Sequence, residues 1–203
     1  MIFRSFSIYF LLTIMRKKIF IVEGIWRSGK TTFIDNINNL AHIHIIPEPS
    51  HLEFNIPNSQ HIRDRWYARA HLHNFRQAIN FSDNNIIFLE RAVISSIAFR
   101  KAYIKKNDYI ITDIYHKFIN ELISLRENNV EVNVIMLSLS NINHCLNHLN
   151  QHTFLKIFNH KNCLLSYQIY IYNEISKLAQ KDIIIPIYNP SIEDILSIIK
   201  NNE

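Results

Sequence analysis

One short stretch concentrates the residue types that could handle a polyphosphate. In "FIVEGIWRSGKTT", Phe20 to Thr32, Gly24 and Gly29 stand in the spacing G-x-x-x-x-G-K-T. Glycines at these positions let the backbone turn so that successive N–H groups point into one concavity. Lys30 would reach the β- and γ-phosphates of a bound nucleotide, and Thr31 would offer a hydroxyl to Mg²⁺. The whole chain has only two glycines, both in this loop. The expected nucleotide-binding set is therefore Gly24, Ile25, Trp26, Arg27, Ser28, Gly29, Lys30, Thr31 and Thr32. Such a motif gains weight from its setting, after an apolar strand and at the start of a helix whose N-terminus favours an anion. Trp26 and Arg27 are unusual occupants, since small residues normally let a phosphate lie against the backbone.

The elements that must position this loop follow from the apolar pattern. Continuous apolar runs predict buried strands at Ile19–Glu23, His42–Ile46, Ile86–Leu89, Val130–Leu139 and Ile183–Ile187. Helical spacing predicts Lys30–Leu40, Ile62–Ile79, Ser95–Ile104, Tyr109–Arg126, Ile142–Leu149, Leu164–Ala179 and Ile192–Lys200. Strands alternating with crossover helices predict an α/β fold, a doubly wound five-stranded parallel sheet with flanking helices, in one domain spanning 16–203. Ligands bind such sheets at the carboxyl ends of the strands. Gly24, Glu48 and Glu90 all fall there, and these carboxylates join the list of candidates.

Composition narrows the class. A chain of 203 residues suits one domain with a full core. The formal charge of +5 is a mild surplus without a basic arm, so no stable nucleic-acid partner is expected. Cys145 and Cys163 lie far apart, which argues against a disulfide framework and fits a reducing, cytoplasmic setting. Residues 1–15 open on "MIFRSFSIYFLLTI", apolar but too short to span a bilayer, where about 20 residues are needed. They are expected to be an upstream extension or an alternative start before Met15, and no membrane association is expected. His148 and His152 stand at i, i+4 like a metal pair, but no third ligand accompanies them. The chain has no N-K-x-D base reader of the GTPases and no apolar strand ending in Asp-Glu as in motor-type ATPases.

Taken together, "EGIWRSGKTT", "PEP" (Pro47-Glu48-Pro49), "WYARAHLH" and "LERAVISSIAF" resemble the thymidylate kinase and deoxynucleoside kinase superfamily, over roughly residues 16–187. The resemblance implies a P-loop nucleotide kinase fold, ATP as phosphoryl donor and Mg²⁺ as metal. It implies that Thr31 and Glu90 hold the metal, that Arg91 grips the acceptor, and that Glu48 and Arg69 contact it. In a nucleoside kinase Glu48 would be the general base; a nucleotide acceptor, already an anion, needs none. Homodimerisation is a further expectation of the resemblance.

Superfamily members usually carry arginines in a lid after the fourth strand. The corresponding "NHCLNHLNQHTFLK" has His148, Leu149, His152 and Phe154 instead, with Lys156 and Lys161 as the nearby cations. One branch of thymidylate kinases places its catalytic arginine in the phosphate loop, and Arg27 falls at that position. Trp26 replaces the Asp usual in that branch and cannot accept a hydrogen bond from a sugar hydroxyl. The expected catalytic set is Lys30, Arg27, Glu48 and Arg91. The leading expectation is phosphoryl transfer from ATP to a deoxynucleoside monophosphate. A deoxynucleoside 5′-kinase and a non-catalytic ATP-binding protein stand as alternatives.

Overall fold

The computed structural model describes residues 17–38, 42–50, 59–81, 86–105, 107–139, 142–151 and 160–200. The expected extension at residues 1–15 and the lid positions His152, Phe154 and Lys156 lie outside them, as does the side chain of His148. The strands are β1 (Lys18–Glu23), β2 (Ile43–Ile46), β3 (Ile86–Glu90), β4 (Glu131–Met136) and β5 (Ile185–Tyr188). They form one sheet in the order β2-β3-β1-β4-β5, with every pairing parallel. The helices are α1 (Lys30–Ile37), α2 (Gln60–Asn80), α3 (Val93–Phe99), α4 (Tyr109–Glu127), α5 (Ile142–Gln151), α6 (Lys161–Gln180) and α7 (Ile192–Lys200).

The sheet is buried on both faces because its central strands are apolar at successive positions. Ile19 and Ile21 of β1, with Ile87 and Leu89 of β3, face the core built with α2, α3, α4 and α6. Phe20, Val22 and Phe88 face the opposite core, closed by α1 and α7. Phe20 and Phe88 stack there at a centroid separation of 4.6 Å. This alternation across neighbouring strands fixes the register, since a one-residue slip would exchange the two cores.

Most element ends shift by a residue or two, the fifth strand for example to Ile185–Tyr188 from the expected Ile183–Ile187, and two differences are larger. The fourth strand ends at Met136 rather than Leu139, because its neighbours end there: Met136 pairs with Glu23, the last residue of β1, and with Tyr188, the last of β5. The helix expected over Ser95–Ile104 begins at Val93 and passes into a π-helical turn, Arg100–Ile104. Lys105 closes that turn with φ 55, and its N–H donates to Arg100 O at 3.0 Å. The turn carries the buried Arg100 guanidinium, which bonds Asp64 on α2 and lies 3.6 Å from Asp108, the N-cap of α4. Such widened turns concentrate near functional sites.

Candidate active site

The glycine loop leaves β1 at Glu23 and enters α1 at Lys30. Gly24 has φ 151 and Gly29 φ 89, both in the region that favours glycine. A Cβ on Gly24 would lie 2.4 Å from the Leu137 carbonyl oxygen and 2.4 Å from Ser28 Oγ. That glycine therefore lets the loop pass against the end of β4. Lys30 is buried, and its Nζ donates to Ile25 O at 3.0 Å, folded over the loop it serves. Burial, with Arg91 adding to it, pushes the lysine's pKa down to about 7 despite Glu48, Glu90 and Glu23 nearby. Ser28 Oγ is buried with no hydrogen-bond partner among the described residues.

Three carboxylates gather at the strand ends around these cations. Glu90 closes β3, and its Oε1 accepts from Thr31 Oγ1 at 3.1 Å. A hydroxyl and a carboxylate are hard oxygen donors, and their approach suits a cation that keeps several waters and takes its remaining ligands from phosphates, as Mg²⁺ does. The tight Gly24 turn and the unpaired Ser28 hydroxyl likewise fit a polyphosphate. Among the described residues no group of His, Cys, Asp and Glu forms an all-protein metal cage.

Arg91 follows β3 directly and is buried in the left-handed conformation, φ 65, with its N–H donating to Val22 O at 3.0 Å. A non-glycine residue there costs on the order of 1–2 kcal/mol and persists only where its surroundings demand it. They do so here. Arg91 Nε lies 2.9 Å from Glu48 Oε2, and Nη1 donates to Ser95 Oγ at 2.9 Å and to Tyr167 OH at 3.1 Å. Although burial disfavours the charge, Glu48, then Tyr167 and Glu23, hold the guanidinium firmly protonated. Burial would raise the Glu48 pKa, but Arg91 and Lys30 outweigh it and keep the carboxylate ionised.

The sequence reading passed over Glu23, which the structure places beneath this cluster. It is fully buried and accepts from Ala92 N at 2.9 Å and from the Ser95 hydroxyl. Burial raises its pKa, against the opposing charge of Arg91. A carboxylate ending an otherwise apolar buried strand, next to a glycine, was the signal available. Ser95 and Tyr167 left no comparable mark, because contacts across 76 positions of chain separation, as from Arg91 to Tyr167, have no local pattern.

The structure does not bring every candidate together. Arg69 is exposed on α2 and makes no ion pair or hydrogen bond among the described residues. Its helical neighbours serve packing instead: Arg65 pairs with Asp108 at 2.9 Å and Arg76 with Glu121 at 2.6 Å, both tying α2 to α4. Trp26 turns inward, its ring 5.5 Å from that of Tyr167 and 6.0 Å from those of Phe99 and Tyr103. Arg27 is exposed with φ 62, and its charge bears on the thiol of Cys145 on α5. Thr32 is exposed on the first turn of α1.

His71 on α2 completes the surroundings of the ion pair. It is buried, and Nδ1 lies 2.9 Å from Ser96 Oγ. Burial pushes its pKa down to about 4, partly opposed by Glu48 and aided by Arg91. The unfolded chain takes a proton near pH 6.5 that the native ring refuses, so this group's stability is full above pH 6.5 and lost as pH falls towards 4. At pH 5 the loss amounts to about 2 kcal/mol by linkage. His71→Gln should therefore flatten the fall in unfolding free energy between pH 8 and pH 5 by that amount, read by denaturant titration. An unchanged slope would show that another group drives the acid loss.

This sheet order with a glycine loop between β1 and α1 defines the fold of the P-loop nucleotide and nucleoside kinases. Solved structures bear this out. The thymidylate kinase of Ehrlichia chaffeensis aligns with a TM-score of 0.51 at 13% identity, covering 92% of this chain and 96% of that one. The deoxyadenosine kinase of M. mycoides with bound dATP aligns with a TM-score of 0.58 at 18% identity, over 92% of this chain and 98% of that one. The same enzyme with bound dCTP gives 0.58 at 15% identity, over 90% and 97%. No family model and no curated protein sequence matches the chain. Among the described residues, no helix is long and apolar enough to cross a membrane.

Proposed function

We propose that the protein transfers a phosphoryl group from ATP to the 5′ end of a deoxynucleoside-type acceptor. The observation that carries this reading is the meeting, at the carboxyl ends of three adjacent strands, of a phosphate loop with the Glu48–Arg91 pair at 2.9 Å. Phosphoryl transfer needs positioning and charge neutralisation more than covalent help, and this set supplies both. The loop amides and Lys30 would hold the β- and γ-phosphates. Thr31 and Glu90 would hold Mg²⁺, which when bound neutralises charge on the triphosphate. Arg27, in the same loop, would meet the charge developing on the transferred group.

The ion pair also bears on the acceptor. A Glu48 carboxylate 2.9 Å from Arg91 leaves the pair neutral overall, a poor grip for a phosphate dianion but a good one for a hydroxyl. Its ionised oxygen can accept the hydrogen bond, and then the proton, of a 5′-hydroxyl. This favours an unphosphorylated deoxynucleoside over the monophosphate that the loop's resemblance puts first.

A panel of deoxynucleosides and their monophosphates, assayed with ATP and Mg²⁺, tests both parts. Phosphorylation of a deoxynucleoside is expected, and Glu48→Gln should lower its kcat by about 10²- to 10⁴-fold. Turnover of monophosphates alone would keep the kinase and remove the base. ATP binding with turnover of neither class would leave a nucleotide-binding protein.

A further inference from the structure

Two substrate subsites in this molecule lean on one side chain. Tyr167 comes from α6, remote in the chain from both the phosphate loop and Arg91, and it is 3% exposed. Its hydroxyl accepts from Arg91 Nη1 at 3.1 Å, beside the Ser95 hydroxyl at 2.9 Å from the same nitrogen. Nη1 is thus hydrogen-bonded to protein, and Nε, buried without a hydrogen bond of its own, lies 2.9 Å from Glu48 in an ion pair. The fork is planar and rigid, so fixing those two nitrogens also fixes the direction of the third, Nη2. That nitrogen is the one left to meet an acceptor.

The ring of the same tyrosine faces the phosphate loop. Its centroid lies 5.5 Å from that of Trp26, tilted by 54°. Phe99 stands edge-on to both, at 5.8 Å from Tyr167 and 6.0 Å from Trp26. Tilted and edge-on pairs at these separations are attractive beyond simple burial. Trp26 lies between the glycines of the loop, so this contact ties the middle of the cradle to α6. The bulky indole that looked out of place for a phosphate loop is thereby accounted for as its inward anchor.

We infer that Tyr167 is a positioning residue with two separable duties, its hydroxyl aiming Arg91 at the acceptor and its ring bracing the phosphate loop through Trp26. The inference rests on the kinase reading above. The two duties call for different variants. Tyr167→Phe keeps the ring and removes only the hydroxyl. It should lower kcat/KM for the acceptor about 10-fold, the scale of one lost hydrogen bond to a charged group, while KM and Kd for ATP stay at wild-type values. Tyr167→Leu removes both contacts and should also weaken ATP binding; should it fail to fold, Trp26→Leu tests the ring contact from the loop side. In an Arg91→Lys background, which lacks the rigid fork, Tyr167→Phe should have no further effect, since residues acting through one another are non-additive.

A merely structural tyrosine would move ATP and acceptor parameters together and add to the Arg91 variant. Either result, or a Tyr167→Phe enzyme with wild-type acceptor kinetics, overturns the inference while the kinase reading stands. A wild-type protein that binds ATP yet phosphorylates no acceptor overturns the reading itself, and the inference with it.

Discussion

Alanine at position 27 is expected to slow phosphoryl transfer by about 10³-fold while leaving ATP affinity and stability nearly unchanged. The argument begins with the backbone. Arg27 sits at φ 62, between the two glycines of the loop, where an unselected side chain is disfavoured. It is also exposed, so burial does not hold it there. Under the proposed function, a strained, exposed arginine in this loop would meet charge that develops only during transfer, as arginine fingers do. Alanine keeps the backbone strain and deletes an exposed cation, so stability should move by about 1 kcal/mol or less. Glycine at the same position would relieve the strain, and Arg27→Gly should be more stable than wild type yet equally slow. Single-turnover rates, with denaturant unfolding alongside, make the comparison. A wild-type rate in Arg27→Ala would reduce this residue to surface charge and reopen the question of what replaces the lid arginines.

The second large effect concerns the two glycines, which the motif treats alike and the structure does not. A Cβ at Gly24 would press to 2.4 Å from the Leu137 carbonyl, a backbone atom that cannot move aside without breaking the junction of β1 and β4. Gly24→Ala combines that clash with an unfavourable φ of 151 and should cost on the order of 3 kcal/mol or more, abolishing ATP binding. At Gly29, φ 89 is also unfavourable, but nothing lies within 4 Å of the added methyl. Gly29→Ala should then cost only the backbone term, about 1–2 kcal/mol, and retain a folded protein with weakened nucleotide affinity. Thermal or denaturant unfolding together with ATP titration calorimetry checks both. Equal destabilisation by the two substitutions would contradict the contact at Leu137.

Most of the fold was legible because its signals are local. Buried parallel strands announce themselves as apolar runs such as "IFIVE" and "IIFLE", and the strand–helix alternation then leaves few topologies. The loop from Gly24 to Gly29 between a strand and a helix was legible for the same reason: its turns need glycines at fixed short spacing. Glu48, Glu90 and Arg91 could be placed at strand ends, and the hydrogen bond from Thr31 to Glu90 joins two of the residues expected to share a metal.

What the chain order could not convey is which of these side chains face each other. Arg65, Arg69 and Arg76 share a helix face in sequence, yet two of them bind α4, because acidic partners from a distant helix arrive there. Trp26 reads as a ligand-facing oddity until Phe99, Tyr103 and Tyr167 come in from α3, its π turn and α6. Glu23 reads as the end of a strand until Ser95 and Arg91 close over it. Spacing along one element specifies backbone shape, which the sequence determined by itself. Pairing between buried charges depends on burial and on partners remote in the chain, and only the tertiary structure decided it.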